Sequence, residues 1–255
     1  MKALLPVLAL TVALLQGCAA YRSTKGPMNS VHDTLPCNTP PTTLIVFLPG
    51  AYDTPQDFID QGFVSAVREQ NIDADIQLVD AHMGYYSDQQ ILGRLQSEVI
   101  DPARAKGYQQ IWFVGISLGG YGTMLYAMTH PSVLKGFFIM APYMGPRDLP
   151  AQIERQGGLA RWSTDVKGNP DIDLWRWLKG YSGDTAGLPD AYLGYGASDR
   201  FAQPNGVLAG VLPAGHSLVI PGGHDWPKWQ RLWRSFLKIA PWPRIDSGVA
   251  QCNPQ

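Results

Sequence analysis

The stretch Ile111-Trp112-Phe113-Val114-Gly115-Ile116-Ser117-Leu118-Gly119-Gly120 decides how this chain is read. Ile111 to Val114 is a short apolar run of β-branched and aromatic residues, the pattern of a buried strand, and a helix is expected from Gly119 to Thr129. Between them lies Gly-x-Ser-x-Gly, which sets a serine on a sharp strand-to-helix turn. Gly115 and Gly119 remove the side chains that would collide where strand and helix approach, so Ser117 is expected to project from the carboxyl edge of a sheet.

Outward from this point the chain alternates strand and helix. Upstream, Leu44 to Leu48 and Ile76 to Val79 read as buried strands, with helices expected over Gln56 to Gln70 and Ser87 to Lys106. Downstream come strands at Gly136 to Met140, Ala191 to Tyr195 and Ser217 to Ile220, then a last helix from Pro227 to Ile239. The order predicts an α/β fold with a doubly wound, mostly parallel sheet of about six strands. Residues 142–189 break the alternation with Pro, Gly and aromatics (Tyr143, Trp162, Trp175, Trp177, Tyr181), and an insertion this long reads as a lid.

A serine hydroxyl is a weak nucleophile without a base. His224, on the Gly-rich turn Pro221-Gly222-Gly223 after the last strand, is placed to serve. The other histidines are weaker candidates, although His82 follows a strand and is a possible pocket-lining residue, as is Tyr52. The base needs a carboxylate to fix its tautomer. Asp199, after the penultimate strand, is the choice over Asp184, Asp190 and Asp225, and Arg200 beside it reads as a salt-bridging neighbour. For the oxyanion, the expected donors are the backbone N–H of Leu118 and that of Ala51, or alternatively Tyr52, in the loop after the first strand.

The segments LIVFLPGAYD, GISLGG, GASDRF and PGGHDW together resemble the α/β-hydrolase superfamily, over roughly residues 42 to 241. The resemblance implies an esterase- or lipase-like serine hydrolase that cleaves carboxylic esters through an acyl-enzyme on Ser117. An acyltransferase would use the same residues, and a non-catalytic envelope lipoprotein could keep the fold for binding. The aromatic insertion favours a small-molecule ester with an apolar group. No cofactor is implied: the three cysteines lack zinc spacing, and there is no dinucleotide or phosphate-binding glycine motif.

The chain has 255 residues, 45% of them hydrophobic, enough for one domain with a substantial core. Its net charge of -1 and lack of basic runs exclude nucleic acid as a partner. Residues 1–17 read as a signal peptide, and Leu15-Gln16-Gly17-Cys18 resembles a bacterial lipobox, which implies an exported lipoprotein acylated at Cys18. Ala19 and Ala20, with no Asp after Cys18, favour the outer membrane in that resemblance. Residues 18–41 are then expected to be a tether and residues 42–255 the hydrolase domain. Cys37 and Cys252 are left as an even pair, expected to form a disulfide in an oxidising compartment.

Overall fold

A computed structural model of the chain describes residues 22–36 and 41–245. Cys18, Cys37 and Cys252, and with them the expected anchor and disulfide, lie outside the described residues. The strands are β1 (Ser30–Asp33), β2 (Thr43–Leu48), β3 (Asp75–Val79), β4 (Gln110–Ile116), β5 (Gly136–Met140), β6 (Asp190–Gly196) and β7 (Ser217–Ile220). They form one sheet in the order β1-β3-β2-β4-β5-β6-β7, parallel throughout except for β1, which runs antiparallel to β3.

The helices are α1 (Pro55–Asp60), α2 (Phe63–Glu69), α3 (Met83–Ser87), α4 (Ile91–Leu95), α5 (Asp101–Ala105), α6 (Leu118–Thr129), α7 (Asp148–Arg155), α8 (Pro170–Leu178), α9 (Ala202–Ala209) and α10 (Trp226–Phe236). Every residue of β2, β3 and β5 is buried, as a sheet covered on both faces requires. On one face Phe47 packs against Phe58, Phe63 and Trp233 with ring centroids 5.1, 6.2 and 5.3 Å away. On the other, Phe113 meets Tyr126 of α6 at 5.2 Å.

Helix α10 anchors the His224 turn, which leads directly into it. Trp229, Leu232, Trp233 and Phe236 recur on its buried face. Trp233 stacks on Phe63 and donates its indole N–H to the Phe63 carbonyl at 3.0 Å, while Phe236 stacks on Phe138 at 4.2 Å. Burying each such ring contributes about 2 kcal/mol, so the turn in front of α10 is held on a rigid support.

Three expectations are corrected. The sheet has seven strands, not six, because Ser30 to Asp33 pairs with β3 and the stretch read as tether is laid against the domain from Arg22 onward. The first of the two long helices is broken, and the second starts at Ile91 instead of Ser87 and changes its winding partway. Gly62 takes a left-handed conformation (φ 73°) between α1 and α2. Gln89 does the same (φ 56°) between α3 and α4. Past α4 the helix widens into a π-turn over Gln96–Ile100 that leads into α5, where Pro102 has no N–H to give to the preceding turn. The tryptophans of the insertion are packing residues: Trp162 and Trp175 are buried, and Trp175 donates to the Met144 carbonyl at 3.2 Å. Residues 142–189 contain α7 and α8, and α8 is tied to α6 by a hydrogen bond from the Tyr121 hydroxyl to Asp171 at 3.2 Å.

Candidate active site

The sheet order reverses between β2 and β4, since the chain moves outward from β2 to β3 and then returns to the other side of β2. Loops leaving the carboxyl ends of β2 and β4 therefore open a crevice at this switch point. Ser117 leaves β4 there, and Gly50 to Asp53 leave β2 beside it. A Cβ placed on Gly50 would lie 3.7 Å from the Ser117 Cβ.

Ser117 is mostly buried and adopts φ 52°, ψ -111°, a conformation that side-chain-bearing residues avoid. The turn is held by Ser117 N–H donating to the Met140 carbonyl at 2.9 Å and by the Ser117 carbonyl accepting from Tyr143 N–H at 3.0 Å. Close approach explains the glycines. A Cβ on Gly115 would strike the Gly119 backbone, and one on Gly119 would fall on the Leu48 carbonyl oxygen of β2. Because both obstacles are backbone, Gly119→Ala is expected to cost about 3 kcal/mol of stability. Chemical denaturation checks this, and an unchanged midpoint would show that α6 can slide away from β2.

Three side chains expected to cooperate from far apart in sequence are in contact. The Ser117 hydroxyl lies 3.0 Å from His224 Nε2, and His224 Nδ1 lies 2.8 Å from Asp199 Oδ2. The Asp199 side chain is 0% exposed and that of His224 11%. The two supporting loops are laced together, Ser198 N–H donating to the Gly222 carbonyl at 2.9 Å and Ala197 N–H to the Ile220 carbonyl at 2.8 Å. The second Asp199 oxygen accepts the Phe201 N–H at 2.7 Å. The other carboxylates are engaged elsewhere. Asp225 caps α10 through Lys228 N–H, Asp190 pairs with Lys135 at the start of β6, and Asp184 accepts from Ala186 N–H.

The sequence reading missed what surrounds the imidazole. Phe201 and Trp229 meet it edge to face, at 5.2 and 5.0 Å, and Tyr143 extends that wall against Phe201 at 5.8 Å. Phe201 follows Asp199 by two residues and Trp229 begins the apolar face of α10, so each was visible as a core-type residue without a signal of its role. Arg200 lies over the Phe201 ring, 4.9 Å from its centre, and makes no ion pair among the described residues.

Leu118 is the first residue of α6, so its N–H has no partner within the helix. In the β2 loop, Asp53 N–H donates to the Gly50 carbonyl at 3.3 Å, which puts Ala51 and Tyr52 at the corner of a turn. That turn bond uses neither corner N–H, so both residues remain candidates as donors. The Tyr52 side chain is 81% exposed. The Asp53 carboxyl is pushed above the usual carboxylate range by burial and then by the Asp57 charge, opposed by a hydrogen bond from Trp226 that joins this loop to the start of α10. His82 is not joined to the cluster. Its Nδ1 accepts the Gly84 N–H at 3.1 Å and its ring lies against Tyr85, and burial, then the Arg22 charge, holds it below the usual histidine range.

No protein-family profile and no characterised protein sequence matches the chain. Solved structures do. Est1E from Butyrivibrio proteoclasticus, also solved with ferulic acid bound, is 17% identical with a TM-score of 0.60, covering 86% of this chain and 95% of that one. FphF, a fluorophosphonate-binding serine hydrolase from Staphylococcus aureus, is 16% identical with a TM-score of 0.53, covering 84% and 98%. A monoacylglycerol lipase from Paleococcus ferrophilus is 13% identical with a TM-score of 0.54, covering 83% and 98%. With its mostly parallel seven-stranded sheet, its serine turn after β4 and these likenesses, the chain has the α/β-hydrolase fold.

Proposed function

We propose that this chain is a serine hydrolase that cleaves carboxylic esters of small molecules through an acyl-enzyme on Ser117. The observation that carries the reading is the Ser117–His224–Asp199 hydrogen-bonded chain at the switch point of the sheet. The names of the structural neighbours agree with it. In this mechanism the Ser117 hydroxyl attacks the acyl carbonyl carbon as its proton passes to His224 Nε2, and Asp199 holds the Nδ1–H and stabilises the imidazolium. The carbonyl oxygen becomes an oxyanion facing the N–H of Leu118 and that of Ala51 or Tyr52. Collapse expels the alcohol, which takes the proton from His224. A water then gives a proton to His224 and attacks the acyl-enzyme, releasing the acid and restoring Ser117.

We place the chain outside the cytoplasm as a lipoprotein anchored through Cys18, on the strength of its leader and lipobox-like motif. Its catalytic test is labelling with a fluorophosphonate probe. One adduct is expected, on Ser117, found by mass spectrometry and missing from Ser117→Ala. A folded chain that takes up no probe would favour a binding protein that has kept the fold.

A further inference from the structure

The segment between the expected anchor and the sheet is clamped to the domain beside Ser117. Arg22 donates to both oxygens of Asp80, at 2.7 and 2.9 Å, and reaches the Asp53 carbonyl of the β2 loop at 3.5 Å. Its own carbonyl sits so close to α3 that a Cβ on Gly84 would run into it. Thr24 is buried, its hydroxyl bonded to Asp88 and its carbonyl accepting from Arg94 at 2.8 Å. Asn29 then accepts the Asp80 N–H at 2.8 Å, and β1 begins. The chain thus joins the fold at the edge of the sheet that carries Ser117, next to the loop that would bind the oxyanion.

We propose that this edge faces the membrane, and that the ester cleaved is one carried in the bilayer. The inference rests on the esterase reading and on acylation of Cys18. Cys18 precedes Arg22 by four residues. Whatever path those residues take, they span at most about 14 Å, so the lipid surface is held within that distance of Arg22. The surface there suits it. Of six exposed large hydrophobic residues among those described, Val31, Tyr52 and Ile59 lie on β1, the β2 loop and α1, and Val31 shares a shallow groove with Arg22 and Pro55. Tyr52, 81% exposed beside the active site, presents an apolar ring and a polar tip that fit the headgroup level of a bilayer. An opening held at that level meets membrane-borne esters at a high effective concentration, an advantage that a dissolved ester does not share.

The test uses the full acylated chain in phosphatidylethanolamine–phosphatidylglycerol vesicles, beside a variant with 20 Gly/Ser residues inserted before Arg22, a spacer with a reach of about 25 Å. Each is assayed on p-nitrophenyl acetate in solution and on 4-methylumbelliferyl oleate in the vesicles. The expected result is equal rates on the dissolved ester and about a tenfold loss for the spaced chain on the embedded one. Equal rates on both would overturn the proposal and leave the esterase reading standing, and so would an amino-terminal peptide with no acyl group on Cys18. Hydrolysis of neither ester would overturn both readings.

Discussion

Ser117→Ala is expected to lower kcat on the order of 10⁶-fold with the fold intact, whereas Ser117→Gly is expected to be equally inactive and more stable than either. In the proposed mechanism the hydroxyl is the only part of the side chain with a reaction to perform, and what would survive its loss is the binding and oxyanion stabilisation of the rest of the site. The backbone gives the second half. At φ 52° and ψ -111° Ser117 occupies a region in which a Cβ costs about 1 to 3 kcal/mol. Alanine keeps the Cβ and the strain. Glycine relieves it, less about 0.5 to 1 kcal/mol for its freer unfolded chain, so a net gain of about 1 kcal/mol is expected. Denaturation midpoints of the three chains, read beside kcat/KM, check both halves. A glycine variant no more stable than the alanine one would show the strain to be no larger than glycine's entropic cost of about 0.5 to 1 kcal/mol, and an active alanine variant would remove Ser117 as nucleophile.

That turn was also the most legible part of the sequence, because several local signals agreed there: a buried apolar run, glycines at the two close approaches, and a helix after them. The same agreement located β2, β3, β5, β6 and β7 to within a residue or two. Where it was lacking, the reading failed. β1 has no apolar run, since its Ser-Val-His-Asp is half-exposed at the sheet's edge and held by pairing with β3, which only the folded chain supplies. Arg22 looked like one charged residue in a polar stretch, and its acceptors, Asp80 and the Asp53 carbonyl, lie 58 and 31 residues away. The roles of the tryptophans of the insertion were not legible, because composition cannot tell a ring that faces a cleft from one that fills a core. Trp162 and Trp175 do the latter.

The choice of Asp199 among four nearby aspartates rested on chain order, and the geometry around it turns that choice into a sharp expectation. Asp199→Asn should lower kcat about 10⁴-fold with little loss of stability, through the proton it displaces. One Asp199 oxygen accepts the Phe201 N–H at 2.7 Å and the other faces His224 Nδ1 at 2.8 Å. An asparagine has one acceptor oxygen, and the Phe201 N–H, a pure donor, claims it. The amide NH₂ must then point at His224 Nδ1, which can only accept. The ring proton is driven to Nε2, the atom that should receive the proton of Ser117, and the hydroxyl meets a donor where it needs a base. Asp199→Ala, by contrast, leaves both the Phe201 N–H and His224 Nδ1 without their partner in a part-buried place and is expected to lose about 1 to 3 kcal/mol of stability as well. Comparing the two variants by turnover, by rate of fluorophosphonate labelling and by denaturation separates orientation of the base from simple support of the loop. A fast, well-labelled Asp199→Asn chain would mean that His224 keeps its working tautomer without this carboxylate, and that the contact at 2.8 Å is structural only.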